Sequence, residues 1–256
     1  MGGPERQRYV RQIALPGWGE EAQEKLARAV VFVAGAGGLG SAAILYLAAA
    51  GVGRLRVCDA GRVELSNLNR QVLYGERTIG RRKPHAARSV VKRMDRSVRV
   101  EPLAAAISET SVAALVGDAG LILDCLDSVT ARLVLNRHAV NARIPLVHAG
   151  VRGWGGQLTF VHHPETPCLA CILGADAADV AAAAPAPPPP ILGAVAGAMG
   201  CFQALEALKH LAGAGSSVRG KILFWDGATQ EFDTVEIAKD PRCPVCGHTR
   251  GSGEET

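Results

Sequence analysis

The apolar positions fall in short unbroken runs separated by amphipathic stretches. Val30 to Ala34 is a continuous apolar run that ends in glycines, the pattern of a parallel strand buried on both faces. Leu55 to Cys58, Val98 to Leu103, Leu121 to Cys125 and Leu146 to Ala149 read as further strands. Between them, Leu39 to Ala50, Lys83 to Met94, Ser108 to Val116 and Val129 to Ala142 read as helices. Pro84 falls in a first turn, where a missing N–H costs nothing, and Ser108 is the expected cap of the third helix. Residues 6–28 read as a polar helical lead into the first strand. Strands alternating with helices predict βαβ units, hence an α/β, Rossmann-like, mostly parallel sheet.

The pattern changes after Gly150. Gln157 to Val161, Lys221 to Trp225 and Glu231 to Ile237 alternate in polarity, and a turn links the last two, so they are expected to extend the sheet as antiparallel strands. Asp176 to Pro190 is almost entirely Ala and Pro and cannot bury enough side chain to order itself, which predicts a mobile crossover loop. The expected organisation is one domain over residues 1–247 and a disordered tail over 248–256.

Composition adds limits. With 256 residues, 48% of them hydrophobic, the chain can bury a sizeable core. A net charge of +4 without a long Lys/Arg run gives no reason to expect nucleic acid. The apolar stretch Ile191 to Phe202 is shorter than a membrane span and leads into Gln203, Glu206 and Lys209. The charged start of the chain has no apolar core of a signal peptide, so a cytoplasmic protein is expected.

The candidate chemistry begins at Gly35-Ala36-Gly37-Gly38-Leu39-Gly40, which follows a strand and opens a helix. There, backbone N–H groups and a helix N-terminus can hold a phosphate. Asp59 ends the next strand, where a carboxylate can accept bonds from ribose hydroxyls. Alone, these fit a nicotinamide-dependent oxidoreductase. Ser66, Asn67, Arg70, Gln71 and Lys83 alter that reading, because cations and amides close to a nucleotide suit a triphosphate of about four negative charges. Asp127 and Ser128 lie beyond the carboxyl end of a strand, just before a helix, where a carboxylate can hold Mg²⁺ or cap the helix. Cys168-Leu169-Ala170-Cys171 and Cys243-Pro244-Val245-Cys246 are two C-x-x-C hooks, which together can close a four-sulfur structural zinc site. Cys58, Cys125 and Cys201 lie in apolar contexts and read as core residues.

Together these motifs resemble the ThiF/MoeB/HesA family of ubiquitin-activating-enzyme-like adenylyltransferases, most closely its molybdopterin-synthase branch. The resemblance runs from Arg8-Tyr9-Val10-Arg11-Gln12 to Cys246 and includes Gln203-Ala204-Leu205-Glu206-Ala207. It implies a homodimer that uses ATP and Mg²⁺ to adenylate a ubiquitin-like sulfur carrier ending in Gly-Gly. It also implies that Asp59 binds ribose, that Asn67, Arg70 and Lys83 contact phosphates, that Asp127 binds Mg²⁺, and that Arg11 reaches the neighbouring subunit's site. Three departures stand out. Ser128 replaces a frequent Asn, Ile191-Leu192-Gly193-Ala194 lacks the usual Pro, and the crossover loop has no cysteine. The loop departure leaves a non-catalytic binder of a ubiquitin-like protein as another reading, and it implies that a separate sulfur donor completes the chemistry.

Overall fold

In the computed structural model, residues 3–174 and 190–247 are described. The expected crossover loop, apart from Pro190, and the expected tail lie outside them. Helices α1 (Gly3–Ile13) and α2 (Gly19–Arg28) precede β1 (Val30–Ala34), α3 (Gly38–Ala49) and β2 (Arg54–Cys58). Then come α4 (Lys83–Met94), β3 (Arg99–Leu103), α5 (Val112–Val116), β4 (Leu121–Asp124) and α6 (Val129–Ala142). The rest is β5 (Leu146–Arg152), β6 (Gly155–Val161), α7 (Leu169–Leu173), α8 (Gly193–Ala212), β7 (Lys221–Asp226) and β8 (Glu231–Glu236).

One eight-stranded sheet has the order β3-β2-β1-β4-β5-β6-β7-β8. The pairs from β3 to β5 are parallel, and those from β5 to β8 are antiparallel. The unbroken apolar runs now have a cause. Val31 and Val33 pack with Leu39, Ile44, Leu47 and Met199 on one face of the sheet. Phe32 and Ala34, one residue out of phase, pack with Leu115, Leu135 and Leu169 on the other. Strand order reverses beside β1, so a crevice opens beyond the carboxyl ends of β1 and β4, the usual ligand position in such sheets.

Two expectations about helices need correction. Residues 6–28 form two helices, because Gly17 and Gly19 adopt φ of +78° and +68°, left-handed backbone that interrupts an α-helix. Helix α5 starts at Val112, not Ser108. Ser108 and Ser111 each accept the other's backbone N–H, at 3.2 and 2.9 Å, and this local turn displaces the first helical turn.

Candidate functional site

A cleft of about 1420 Å³ opens at the carboxyl ends of β1, β2 and β4. Its floor is the glycine loop. Gly35 turns the chain with φ of +94°, and a Cβ there would lie 2.7 Å from the Cys125 carbonyl oxygen. Gly37 faces open space, its nearest neighbour being Gln71 Nε2 at 3.8 Å from a Cβ position. Gly38 also lines the cleft, but Gly40 does not. A Cβ on Gly40 would meet the Gly35 carbonyl oxygen at 2.0 Å, so its task is to let α3 pack against the loop. The cap of α3 is Gly37, which brings no side chain to the helix's first N–H groups. The α3 N-terminus is therefore open to an anion in the cleft.

Asp59 organises this floor. Its Oδ2 accepts the Ala36 N–H at 2.8 Å and its Oδ1 accepts the Gly61 N–H at 2.7 Å. Tyr74 donates to the Ala36 carbonyl at 2.9 Å, so the loop is held from both sides. Arg70, Gln71 and Lys83 line the wall. Arg70 Nη1 donates to the Ser66 carbonyl at 2.8 Å and to Asn69 Oδ1 at 3.1 Å. Gln71 is buried, and its Oε1 has no hydrogen-bond partner among the described residues, as expected where a ligand completes the set.

Besides Gly40, two residues expected at the nucleotide lie elsewhere. Asn67 is buried and its Oδ1 accepts the Glu64 N–H at 3.2 Å, while Ser66 Oγ donates to Glu64 Oε2 at 3.4 Å. Both serve their own turn and neither lines the cleft. Arg11, expected at the neighbouring subunit's site, is exposed on α1 and does not line this chain's cleft.

Asp127 and Ser128 line the opposite wall, exposed. The cap of α6 is Ser128, whose Oγ accepts the Ala131 N–H at 3.4 Å, so capping does not fall to Asp127. Sequence reasoning missed the group behind them. Asp124, fully buried at the end of β4, accepts from Arg132 Nε at 3.0 Å and from His148 Nδ1 at 2.8 Å. Burial pushes the Asp124 carboxyl upward, but Arg132 and His148 outweigh it and hold it below the usual range. Burial pulls His148 down against the opposing effect of Asp124, so the ring is neutral near pH 7. The carboxylate then selects the Nδ1–H tautomer, and Nε2 accepts from Gln157 Nε2 at 3.3 Å. Arg132 and Gln157 both line the cleft. Their signal was available, since an Asp inside an apolar strand needs a partner, but the partner's position was not.

On the face of the sheet that carries Phe32 and Ala34, the four hook cysteines converge. Their sulfurs all lie within 4.8 Å of one another, with Cys168–Cys243 at 3.7 Å and Cys171–Cys246 at 3.3 Å. A tetrahedral zinc with Zn–S of about 2.3 Å needs sulfur–sulfur edges of about 3.8 Å, so the donor set fits a small adjustment away.

The family model for the ThiF family matches residues 9–245. The chain belongs to the ThiF family. This ThiF-family chain is 37% identical over 244 residues to the molybdopterin-synthase adenylyltransferase of Escherichia coli, covering 94% of this chain and 96% of the relative. It is 36% identical over 248 residues to the sulfur carrier protein adenylyltransferase of Thermus thermophilus, covering 95% and 91%. Among solved structures, E. coli MccB superposes with a TM-score of 0.83 at 21% identity, over 95% of this chain and 73% of that one, a likeness of fold. The oxidoreductase reading, which rests on the glycine loop and Asp59 alone, is thereby displaced.

Proposed function

We propose that this chain uses ATP to adenylate the C-terminal glycine carboxylate of a ubiquitin-like sulfur carrier, releasing pyrophosphate. The observation that carries the reading is the composition of one cleft. Its glycine loop, Asp59, Arg70, Lys83 and Asp127 face a common space, in a chain of the ThiF family. Relatives at 36–38% identity bear the names of adenylyltransferases for molybdopterin synthase and for a sulfur carrier, and of a SAMP-activating enzyme.

The chemistry follows from charge. The carrier's carboxylate is ionised near neutral pH, so it is already a nucleophile and needs no general base. It attacks the α-phosphorus, an oxygen–phosphorus bond forms, and the bond from the α-phosphorus to the bridging oxygen breaks as pyrophosphate leaves. The obstacle is anion meeting anion. Arg70, Lys83 and the α3 N-terminus offset that repulsion, and Asp59 orients the ribose, which makes the step one of positioning and electrostatics. Asp127, exposed in the wall, is the residue that would hold Mg²⁺, which when bound spreads phosphate charge.

The active unit in this reading is a homodimer in which Arg11 reaches the neighbouring subunit's cleft. The four cysteines hold zinc as a closed structural site, and thiolates kept for metal suit the reducing cytoplasm. Without a cysteine in the crossover loop, the acyl-adenylate passes to a separate sulfur donor. The reading is tested by incubating the chain with ATP, Mg²⁺ and a Gly-Gly-ending carrier, then weighing the carrier. A gain of one AMP, lost on removing the terminal glycine, is expected. An unmodified carrier with a folded, zinc-loaded protein would refute it.

A further inference from the structure

The segment that joins β4 to α6 has little backbone support at Leu126. The ladder ends with Cys125 N–H donating to the Ala34 carbonyl at 2.9 Å, and α6 begins with Arg132 N–H donating to the Ser128 carbonyl at 3.0 Å. Leu126 lies between and makes no backbone–backbone hydrogen bond among the described residues. Its two polar groups go to side chains instead. The Leu126 N–H donates to Asp124 Oδ1 at 3.1 Å, and the Leu126 carbonyl accepts from Arg132 Nη2. Asp124 and Arg132 are bonded to each other through Oδ2 and Nε. One carboxylate and one guanidinium thus hold the two peptide units that flank Leu126, the residue immediately before Asp127.

Other elements brace this grip. His148 on β5 donates to the same Asp124 Oδ2. Gln203 on α8 donates to the Asp124 carbonyl at 2.9 Å and to the Val147 carbonyl at 2.8 Å, and accepts from Cys125 Sγ at 3.1 Å. Asp124 is 0% exposed and the Arg132 side chain 12%. A buried ion pair is a costly way to gain stability, since apolar residues of similar volume often serve as well or better. This one sits against the cleft, bonded to the residue before the exposed carboxylate.

We propose that Asp124 and Arg132 are positioning residues for Asp127, clamping the backbone of Leu126 on both sides so that the next carboxylate is held in the cleft wall, where it would bind Mg²⁺. The inference rests on the adenylation reading, in which Asp127 holds Mg²⁺. The guanidinium's fork is essential to the clamp, because two of its nitrogens serve two acceptors at a fixed angle. A lysine at position 132 keeps the charge beside Asp124 but cannot reproduce the fork.

The test is the gain in ATP affinity that Mg²⁺ brings, measured by titration calorimetry in chelator and in Mg²⁺, on the full-length protein with its zinc. Wild type, Asp127→Ala, Arg132→Lys and the double variant Asp124→Asn/Arg132→Gln are compared. The double variant leaves no unpaired buried charge and serves where Arg132→Lys does not fold by circular dichroism. Losing an outer-shell partner typically costs 10- to 100-fold in metal affinity, so the Mg²⁺-dependent gain should fall by about tenfold or more. Affinity in chelator should stay near that of wild type. If Asp127→Ala loses the gain while both clamp variants keep it, the positioning role is wrong and the metal role stands. A drop in chelator that leaves the gain intact would overturn the inference in favour of direct nucleotide contact. If Asp127→Ala itself keeps the gain, the Mg²⁺ role assigned to Asp127 is what fails, and the clamp's purpose fails with it.

Discussion

Asn136 Oδ1 accepts the backbone N–H of Leu169 at 2.9 Å, and both residues are buried. This bond ties the middle of α6, whose N-terminus borders the cleft at Asp127 and Ser128, to the first cysteine hook. Because the hook sits in the core with Leu135 and Val140, the cysteine cluster and α6 form one packed unit.

That packing sets the expected cost of losing the metal. One zinc per chain is predicted, bound by Cys168, Cys171, Cys243 and Cys246. Cys243→Ser should destabilise the fold by more than about 3 kcal/mol, because loss of a structural metal is among the few severe single lesions. The fraction that stays folded should still adenylate. Elemental analysis and thermal unfolding check this; zinc-free protein from a chelator-free preparation would contradict it.

Asp127→Ala should leave the fold intact and lower adenylation by two to three orders of magnitude, an estimate of roughly 100- to 1000-fold from the usual weight of one electrostatic contact in a transition state. The residue is exposed and is not the helix cap, so its removal costs little stability. Circular dichroism paired with a rate measurement separates the two effects. Normal turnover by the folded variant would remove the metal role.

Much of this was legible in the chain because the β1 and β4 strands are buried on both faces. Val31 to Ala34 and Leu121 to Leu123 have no polar interruption, and the bounds of β1, α4 and α6 follow the sequence pattern. The glycine loop and the cysteine hooks were legible because each needs a fixed local spacing. What stayed hidden depends on tertiary partners. Asp124, Arg132 and His148 meet only once β4, α6 and β5 are side by side. Ser66 and Asn67 match the expected motif in sequence, yet their side chains are taken up by the turn at Glu64.

Arg11 offers a test of shared sites. It is exposed on α1 and outside its own chain's cleft wall. Arg11→Ala and Asp127→Ala should each keep no more than about one per cent of wild-type activity, and mixing them should restore one working cleft in each mixed dimer, about a quarter of wild-type activity in a random mixture when the groups act as one unit. Heterodimers that form and stay inactive would show that Arg11 does not act across the interface.

No covalent adduct with the carrier is expected. A thiolate is the nucleophile such an adduct needs. Burial pushes the Cys58 thiol up to about 12, the Cys125 thiol well above its ordinary value, and the Cys201 thiol upward as well. All three stay protonated near neutrality, and the crossover loop offers no cysteine. A non-reducing denaturing gel after incubation with ATP, Mg²⁺ and carrier should show no thiol-sensitive band. A band that Cys201→Ser removes would contradict this and identify the nucleophile.

The most direct test of the central claim is exchange of labelled pyrophosphate into ATP. Reversible adenylation requires that exchange depend on the carrier and on its terminal glycine carboxylate, with Mg²⁺ present. The predicted result is exchange with the intact carrier, none when the carrier is absent or its carboxylate is amidated, and exchange slowed roughly 100- to 1000-fold with Asp127→Ala. Exchange that proceeds equally without a carrier, or its absence with every Gly-Gly carrier from the source organism while the protein is folded and holds zinc, would contradict the account.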